Sequence, residues 1–231
     1  MNICIIPARG GSKRIQKKNI RDFFGKPMIA WPLRVVTESG LFDKVVVSTD
    51  DPNIAQCALK FGAEVPFTRP PSLSDDLIDT DSVVLHAVQQ CIKIFGRFDR
   101  GCCIYATNPF LSEFDLKKGL EILNDTNSVS AFPVVRYEFP IQQAIKLSGF
   151  SPVPKWPEKM NKRSQDLEEY FHDAGMFYWF DVLKFLENKQ LISSEAAAFP
   201  IEAARCQDIN TEADWKQAEL KFKLFMENNT L

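Results

Sequence analysis

Short apolar runs alternate with longer segments of helical period along the first half of the chain. The short runs are too apolar to have one wet face, which indicates strands buried on both sides. Apolar residues three and four positions apart indicate helices that pack one face on those strands. The pattern predicts strands at 2–7, 44–48, 63–67, 102–106, 128–134 and 176–180. It predicts helices at 27–39, 51–61, 81–95, 113–124 and 211–226.

This order of elements predicts an α/β fold with three layers, in which helices cover a mainly parallel sheet. Residues 1–231 are predicted to form a single domain, since a chain of 231 residues has the length of one sizeable domain. Loops that follow parallel strands meet beyond the carboxyl ends of those strands. The polar loops after Ile6, Ser48 and Ala106 are therefore expected to form one site.

Residues 136–161 break this pattern. Prolines crowd there, at Pro140, Pro152, Pro154 and Pro157, and the helical period disappears. The stretch is too apolar for a solvated linker. We expect either an extended arm that packs on a partner subunit or an internal flap.

Composition and charge are those of an ordinary globular protein, with 45% hydrophobic residues and a formal net charge of −2. The sequence pI of about 5.8 argues against nucleic acid as a partner, because binders of phosphate backbones carry a basic excess. No apolar run approaches the roughly 20 residues that span a bilayer, so no membrane partner is expected. The sequence shows no leader-like segment and no cysteines with C-x-x-C spacing. Both observations predict a cytoplasmic protein with reduced thiols.

Basic residues are densest directly after the first predicted strand. Gly10 and Gly11 would let the backbone turn tightly, with N–H groups facing a phosphate. Charge-assisted bonds to a polyphosphate could come from Arg9, Lys13, Arg14, Lys17 and Lys18. The glycine spacing matches neither the P-loop nor the dinucleotide-binding fingerprint. A glycine turn between solvated lysines is the alternative, and composition alone does not separate the two.

Two carboxylates, Asp50 and Asp51, end the valine-rich strand at 44–48. Asp51 is expected to cap the following helix. Asp50 stays open as a ligand of a metal or a ribose hydroxyl.

Further along the chain, Thr211 and Asp214 have the spacing of a helix cap. Asp208 lies just before them and could bind Mg²⁺, which favours one or two carboxylates together with phosphate oxygens.

The segment from Arg163 to Gly175 mixes a cation, amides, carboxylates and an imidazole. That mixture suits a polyhydroxylated, negatively charged substrate, whose carboxylate Arg163 could hold through two hydrogen bonds. The alternative is a polar loop before the strand at 176–180. His172 taken alone would more often be structural, and His86, on a predicted helix, is expected to pack.

Together these segments resemble the bacterial acylneuraminate cytidylyltransferases over nearly the whole chain. The specific motifs are I-P-A-R-G-G-S-K-R-I-x-x-K-N, F-F-G-K-P-M-I-A, V-S-T-D-D and R-P-P-S-L-S-D-D, the last spanning Arg69–Asp76. R-S-Q-D-L, F-H-D-A-G, Q-D-I and Y-A-T-N-P-F are most similar to the pseudaminic acid branch of that family. The sialic acid branch has R-Q-x-L-P, N-G-A and Q-P-T-S-P-L-R instead.

The resemblance implies a nucleotide-diphospho-sugar transferase type of fold, a Mg²⁺ cofactor and a homodimer whose 136–161 arm reaches the neighbouring site. It implies that CTP and an acidic nine-carbon sugar give a CMP-sugar and pyrophosphate. The implied nucleotide contacts are Ala8, Arg9, Gly10, Gly11, Ser12, Lys18, Asn19, Arg69 and Thr80. The implied sugar contacts are Arg163, Gln165, His172 and Asp173. The implied catalytic residues are Arg9, Lys18 and Asp208, and the implied metal ligands are Asp208 and Asn210.

Two positions depart from the family pattern. Asn210 replaces the second aspartate of D-I-D, and Gln16 replaces the proline of I-P-x-K-N. An amide offers a metal a neutral oxygen, so Asn210 could weaken metal binding or act through water. The alternatives left open are the same chemistry on sialic, legionaminic or 3-deoxy-octulosonic acid, and a CTP-binding module without turnover.

Overall fold

The structure is a computed structural model that describes residues 1–75 and 77–228, with only the backbone described at 228. Asp76, the last residue of the R-P-P-S-L-S-D-D motif, therefore lies outside the described residues. The strands are β1 Asn2–Pro7, β2 Asp22–Phe23, β3 Lys26–Pro27, β4 Lys44–Ser48, β5 Arg100–Ile104, β6 Ser130–Arg136, β7 Ile145–Ser148, β8 Ser151–Pro154, β9 Phe171–Asp173, β10 Phe177–Asp181 and β11 Ala197–Pro200. The helices are α1 Ala30–Glu38, α2 Pro52–Lys60, α3 Thr80–Phe95, α4 Glu113–Thr126, α5 Val182–Asn188 and α6 Glu212–Asn228.

A seven-stranded sheet forms the centre of the fold, in the order β11-β6-β10-β5-β1-β4, and β9 also pairs with β6. β1 pairs in parallel with β4 and β5, and β11 in parallel with β6. β10 lies antiparallel between β5 and β6, and β9 is antiparallel to β6. Five strands thus run in one direction and two in the other, which confirms the predicted α/β fold with a mainly parallel sheet.

Apolar side chains of β1 alternate between two cores, as expected for a strand covered on both faces. Cys4 and Ile6 face a core shared with α1, α2, α4 and α6. Ile3 and Ile5 face a second core shared with α3 and α5. The sheet is therefore the middle of three layers, and the loops at its carboxyl edge are free to carry a site.

The structure corrects two of the predicted elements. The helix predicted at 27–39 begins only at Ala30, because Lys26–Pro27 pairs with Asp22–Phe23 in a small hairpin. The strand predicted at 63–67 is reduced to a single bridge between Val46 and Glu64. The hydrophobic pattern also missed the short elements β2, β3, β7, β8, β9, α5 and β11.

Residues 136–161 leave the sheet after β6. They contain the β7–β8 hairpin, whose two strands pair only with each other among the described residues. Phe139 and Leu147 are 83% and 69% exposed, and Phe150 at the hairpin turn is fully exposed. The segment is thus an excursion from the core with apolar side chains on its surface.

Among the described helices, none combines the length and the apolar character that crossing a bilayer requires.

Candidate active site

Two cavities lie side by side at the carboxyl edge of the sheet, with volumes of about 590 and 690 Å³. The first is lined mainly by Pro7, Arg9, Ser12, Lys13, Arg14, Lys18, Asn19, Arg69, Thr80, Tyr105, Thr107, Asp208 and Asn210. The second is lined mainly by Arg136, Tyr137, Glu138, Phe139, His172, Asp173, Gly175, Gln207 and Lys221. Tyr105 and Asp208 line both cavities. They therefore mark the junction at which ligands in the two cavities would meet.

The glycines of the loop after β1 have a different role from the one expected. Neither Gly10 nor Gly11 has a positive φ, and the left-handed residue is Lys17 at φ 51°. A Cβ on Gly10 would lie 2.6 Å from Oδ2 of Asp51, whereas one on Gly11 would meet no atom within 4 Å. Gly10 is therefore needed because Asp51 approaches the backbone closely, and not because the chain turns there.

Three N–H groups of this loop donate to acceptors within the chain. Those of Ala8, Gly10 and Ser12 donate to Ser48 O at 2.9 Å, Asp50 Oδ1 at 3.0 Å and Gly10 O at 3.0 Å. The expected nest of phosphate-facing N–H groups is thus not formed by these three donors. Side chains carry the positive charge of the first cavity instead.

Asp50 and Asp51 have separate tasks in the structure. Asp51 caps α2, since its Oδ1 accepts from the N–H groups of Asn53 at 2.7 Å and Ile54 at 3.3 Å. That cap confirms the prediction for Asp51. Asp50 holds the loop after β1 through Gly10, so the loops after β1 and β4 are tied together at one end of the sheet.

Lys18 connects the loop after β1 to the segment before α6. Its Nζ donates to the carbonyl of Ile209 at 2.6 Å. Burial lowers the pKa of Lys18, and the nearby Asp208 carboxylate opposes that shift. Next to it, the buried Asn19 donates from Nδ2 to Arg9 O at 2.9 Å. These bonds fix an ammonium in the wall of the first cavity, close to Asp208, whereas Lys17 is exposed and lines neither cavity.

Arg69 forms a buried part of the first cavity's wall and is only 3% exposed. Its Nη2 donates to the carbonyl of Ser48, and its Nε has no hydrogen-bond partner among the described residues. Burial lowers the pKa of Arg69, with Asp50 acting in the opposite direction. A buried guanidinium with an unused donor suits a ligand that brings hydrogen-bond acceptors.

The expected metal site consists of Asp208 and Asn210. Asn210 donates from Nδ2 to Asp208 and accepts at Oδ1 from Arg14 Nη2, at 2.8 Å. The amide oxygen of Asn210 therefore already faces a cation. Within residues 1–75 and 77–228, no group of three or more His, Cys, Asp or Glu is placed to hold a metal. The donor set fits Mg²⁺ bound by Asp208 and completed by phosphate oxygens, which is a common arrangement for this ion.

The second cavity contains only part of the predicted sugar site. His172 and Asp173 line it, and the His172 ring lies 5.1 Å from that of Tyr137. Arg163 and Gln165 do not line it in a single chain and are exposed at the Ser164–Asp166 turn. Of the four predicted sugar residues, two therefore line the second cavity and two lie outside it.

Sequence reasoning missed several residues that line the second cavity, namely Tyr105, Arg136, Tyr137 and Lys221. Tyr105 follows β5, and this position at a strand's carboxyl end could have singled it out. Lys221 could not have been found by pattern, because its α6 helix reaches the cavity only through tertiary packing. There its Nζ donates to Cys206 O at 2.8 Å.

A basic cavity beside a second polar cavity, at the carboxyl edge of an α/β sheet, suits an enzyme that brings a nucleoside triphosphate to an acceptor. The chain belongs to the cytidylyltransferase family, whose model matches residues 3–228. The membership expected from the sequence motifs, and with it the nucleotidyltransferase class, is confirmed.

Named relatives sharpen this assignment. The chain is 40% identical to the pseudaminic acid cytidylyltransferase of Campylobacter jejuni over 96% of this chain and 97% of that protein. It is 33% identical to the N-acylneuraminate cytidylyltransferase of Oncorhynchus mykiss, over 96% of this chain and 50% of that protein. Among solved structures it resembles a CMP:2-keto-3-deoxy-manno-octonic acid synthetase complexed with CTP. That match has a TM-score of 0.71 and 18% identity, over 96% of this chain and 98% of the other.

Proposed function

We propose that this protein transfers CMP from CTP to pseudaminic acid and releases pyrophosphate. The observation that carries the proposal is the 40% identity to the C. jejuni enzyme along almost the full length of both chains. The pair of cavities that meet at Tyr105 and Asp208 suits a reaction between two bound substrates.

The first cavity suits CTP in one orientation. Leu73, Ile78 and Val83 line the first cavity and offer apolar contact to a flat base. The triphosphate would lie along a group of cationic and hydroxyl side chains in the same cavity. That group consists of Arg9, Ser12, Lys13, Arg14 and Lys18. Asymmetry of charge along the cavity therefore sets the direction in which the nucleotide binds.

The second cavity suits the sugar, with its anomeric carbon at the junction. The anomeric hydroxyl oxygen would form a bond to the α-phosphorus while the bond from that phosphorus to the pyrophosphate oxygen breaks, and the hydroxyl proton passes to solvent. Positioning and charge neutralisation supply most of the catalysis in such transfers. Lys18 lies beside the junction and would stabilise the charge that builds on the leaving pyrophosphate, together with Arg9.

Asp208 would hold a Mg²⁺ ion together with phosphate oxygens of the nucleotide. When bound, such an ion neutralises phosphate charge and favours loss of the hydroxyl proton. Asn210 contributes by keeping Arg14 and Asp208 in place, since it bonds to both.

We also propose a cytoplasmic homodimer in which the 136–161 arm packs on the partner. The exposed Phe139, Leu147 and Phe150 supply apolar surface for that contact. The arm is followed by Arg163 and Gln165, which line neither cavity of their own chain. In a dimer they would complete the second cavity of the other subunit.

The direct test is pyrophosphate release from CTP with each candidate acid, measured with Mg²⁺ present. We expect turnover with pseudaminic acid at a kcat/KM well above those for sialic, legionaminic and 3-deoxy-octulosonic acids. Turnover of sialic acid without turnover of pseudaminic acid would contradict the substrate assignment and leave the reaction class intact.

A CTP-binding module without turnover is the second candidate, because Asn210 stands where a second carboxylate is expected. Asn210→Asp separates the two. If the natural chain binds CTP but releases no pyrophosphate with any acid, and this variant does, the module is the correct description. We expect instead that the natural chain is active and that the variant needs a lower Mg²⁺ concentration for half-maximal rate.

A further inference from the structure

Lys221 of α6 belongs to the wall of the second cavity. Its Nζ donates to the carbonyl oxygens of Cys206 at 2.8 Å and Ala203 at 3.3 Å, and all three residues line that cavity. An ammonium group has three protons, and the described residues supply acceptors for two of them. The two carbonyls hold Nζ in place and leave one N–H for a ligand. The second cavity therefore has a positioned cation that can still donate a hydrogen bond.

The charges around the second cavity distinguish Lys221 from its neighbours. Arg136, which also lines the cavity, pairs through Nη1 with Glu169 Oε1 at 2.7 Å. Both partners of Lys221 Nζ within the described part of the chain are carbonyl oxygens, so its charge is not paired with a carboxylate. An acidic ligand in this cavity would meet the carboxylates of Asp173 and Asp208, which also line it. Lys221 is the cation placed to offset their repulsion.

Lys221 also lies close to the junction of the two cavities. Asp208, which lines both cavities, follows Cys206 by two residues. Burial raises the pKa of the Cys206 thiol, while Lys221 lowers it and Asp208 adds to the rise, so both charges lie near this sulfur. In a nonulosonic acid the carboxylate is attached to the anomeric carbon itself. A carboxylate bound at Lys221 would therefore bring the anomeric hydroxyl to the junction.

We propose that Lys221 binds the carboxylate of the acidic sugar and so holds the anomeric hydroxyl toward the nucleotide. The inference rests on the proposed function, because it assumes that the second cavity receives the sugar. Arg163 would contact the same carboxylate from the partner subunit, and the two oxygens of a carboxylate have room for both cations. Lys221 thus gives the negative charge of the sugar a contact within the chain that binds it.

A sugar without the negative charge tests this contact. Pyrophosphate release would give kcat/KM for the acid and for its carboxamide, in the natural chain and in Lys221→Met. The difference in intrinsic reactivity between acid and amide cancels when the two chains are compared. We expect the preference for the acid to fall about ten- to hundredfold in Lys221→Met, the range for a hydrogen bond between charged groups. Lys223→Met, exposed on the same helix, is the matched control.

The preference for the acid separates a substrate contact from a structural role. If Lys221 only anchors the turn at Ala203 and Cys206, its loss lowers kcat/KM for acid and amide by the same factor. An unchanged preference in Lys221→Met therefore overturns the inference. Lys221→Gln keeps a donor for the carbonyls without the charge, so it covers the case in which Lys221→Met does not fold. It should show the same fall, whereas Lys221→Arg should retain the preference.

Combining the substitution with Arg163→Ala shows whether the two cations act independently. Lys221→Met should lower the preference for the acid in the natural chain and again in the Arg163→Ala background. If Arg163→Ala alone abolishes the preference and Lys221→Met adds nothing, the carboxylate is bound by Arg163 and the inference is wrong. Turnover of sialic acid without turnover of pseudaminic acid would contradict only the proposed sugar, since sialic acid and its carboxamide then test Lys221 in the same way.

Discussion

The first cavity takes its charged wall from the loop after β1, the segment after β4 and residues 208–210, all anchored in the central sheet. The second cavity takes its walls from the ends of β6 and β9, the beginning of the arm and α6, and two of its four predicted sugar residues lie outside it. Under the proposed function, one chain supplies the charged wall of the nucleotide half of the site. The sugar half takes part of its wall from a segment that leaves the core.

The largest effect should come from Lys18, which lines the first cavity close to Asp208. Lys18→Ala should lower kcat by about 10²–10³, since it removes a positioned charge from the proposed leaving pyrophosphate. Steady-state pyrophosphate release measures this. Lys60→Ala, at the exposed end of α2, is the control. A loss of less than threefold in Lys18→Ala would remove Lys18 from the proposed mechanism.

Mixing two impaired variants, with the sugar kept well below its natural KM, should decide whether the second cavity is completed by a partner. Arg163→Ala alone should raise the KM for the sugar roughly tenfold or more, because a charged hydrogen bond to its carboxylate is lost. When Lys18→Ala and Arg163→Ala chains are refolded together, half of the dimers are mixed and each has one intact site. About a quarter of the natural activity should return. No recovery, with mixed dimers shown by mass spectrometry, would mean that Arg163 acts within its own chain.

A pair of glycine substitutions should test why the loop after β1 requires Gly10. Gly10→Ala places a Cβ against Asp51 and should push that carboxylate from its cap on α2, at a cost of about 1–3 kcal/mol in unfolding free energy. Gly11→Ala meets no atom within 4 Å and should leave the stability unchanged. Denaturant titration of both variants checks this. Equal stability of the two would contradict the close-approach explanation.

The smallest effect concerns acid stability at the start of α6. Hydrogen bonds from the Thr211 hydroxyl and the Asn210 N–H lower the pKa of Asp214. A carboxyl with a lowered folded-state pKa stabilises the fold above its ordinary pKa, and this contribution is lost as the pH falls through the folded value. Asp214→Ala should therefore cost about 1 kcal/mol or less at pH 7 and nothing at low pH. Glu227→Ala, exposed on the same helix, is the matched control.

Local signals account for what the sequence predicted well. The buried strands β1 and β4 are continuous apolar runs, and the Asp51 and Thr211–Asp214 caps follow from side chains that bond to nearby N–H groups. The Thr211–Asp214 cap is confirmed by the bond from the Asp214 N–H to Thr211 Oγ1 at 3.2 Å. His86 packs as expected, with its ring 5.5 Å from that of Phe67.

What the sequence could not supply depends on contacts between distant segments. β11 is four residues long and pairs only at the edge of the sheet, so its pattern carries little information. The requirement for Gly10 comes from Asp51 on another loop, and the partners of Asn210 are Arg14 and Asp208.

The antiparallel insertion of β10 between β5 and β6 also bears on the order of folding. β4, β1 and β5 end by Ile104, so a three-stranded core with α1, α2 and α3 is complete once that part of the chain is available. β6 has no place beside β5 until β10 arrives, some forty residues later by the bounds of these strands. The amino-terminal part of the chain is synthesised first. We therefore expect the ribosome-bound chain to form most of its nucleotide pocket first and to expose the edges of β5 and β6 in the meantime, which makes that interval the one most prone to aggregation.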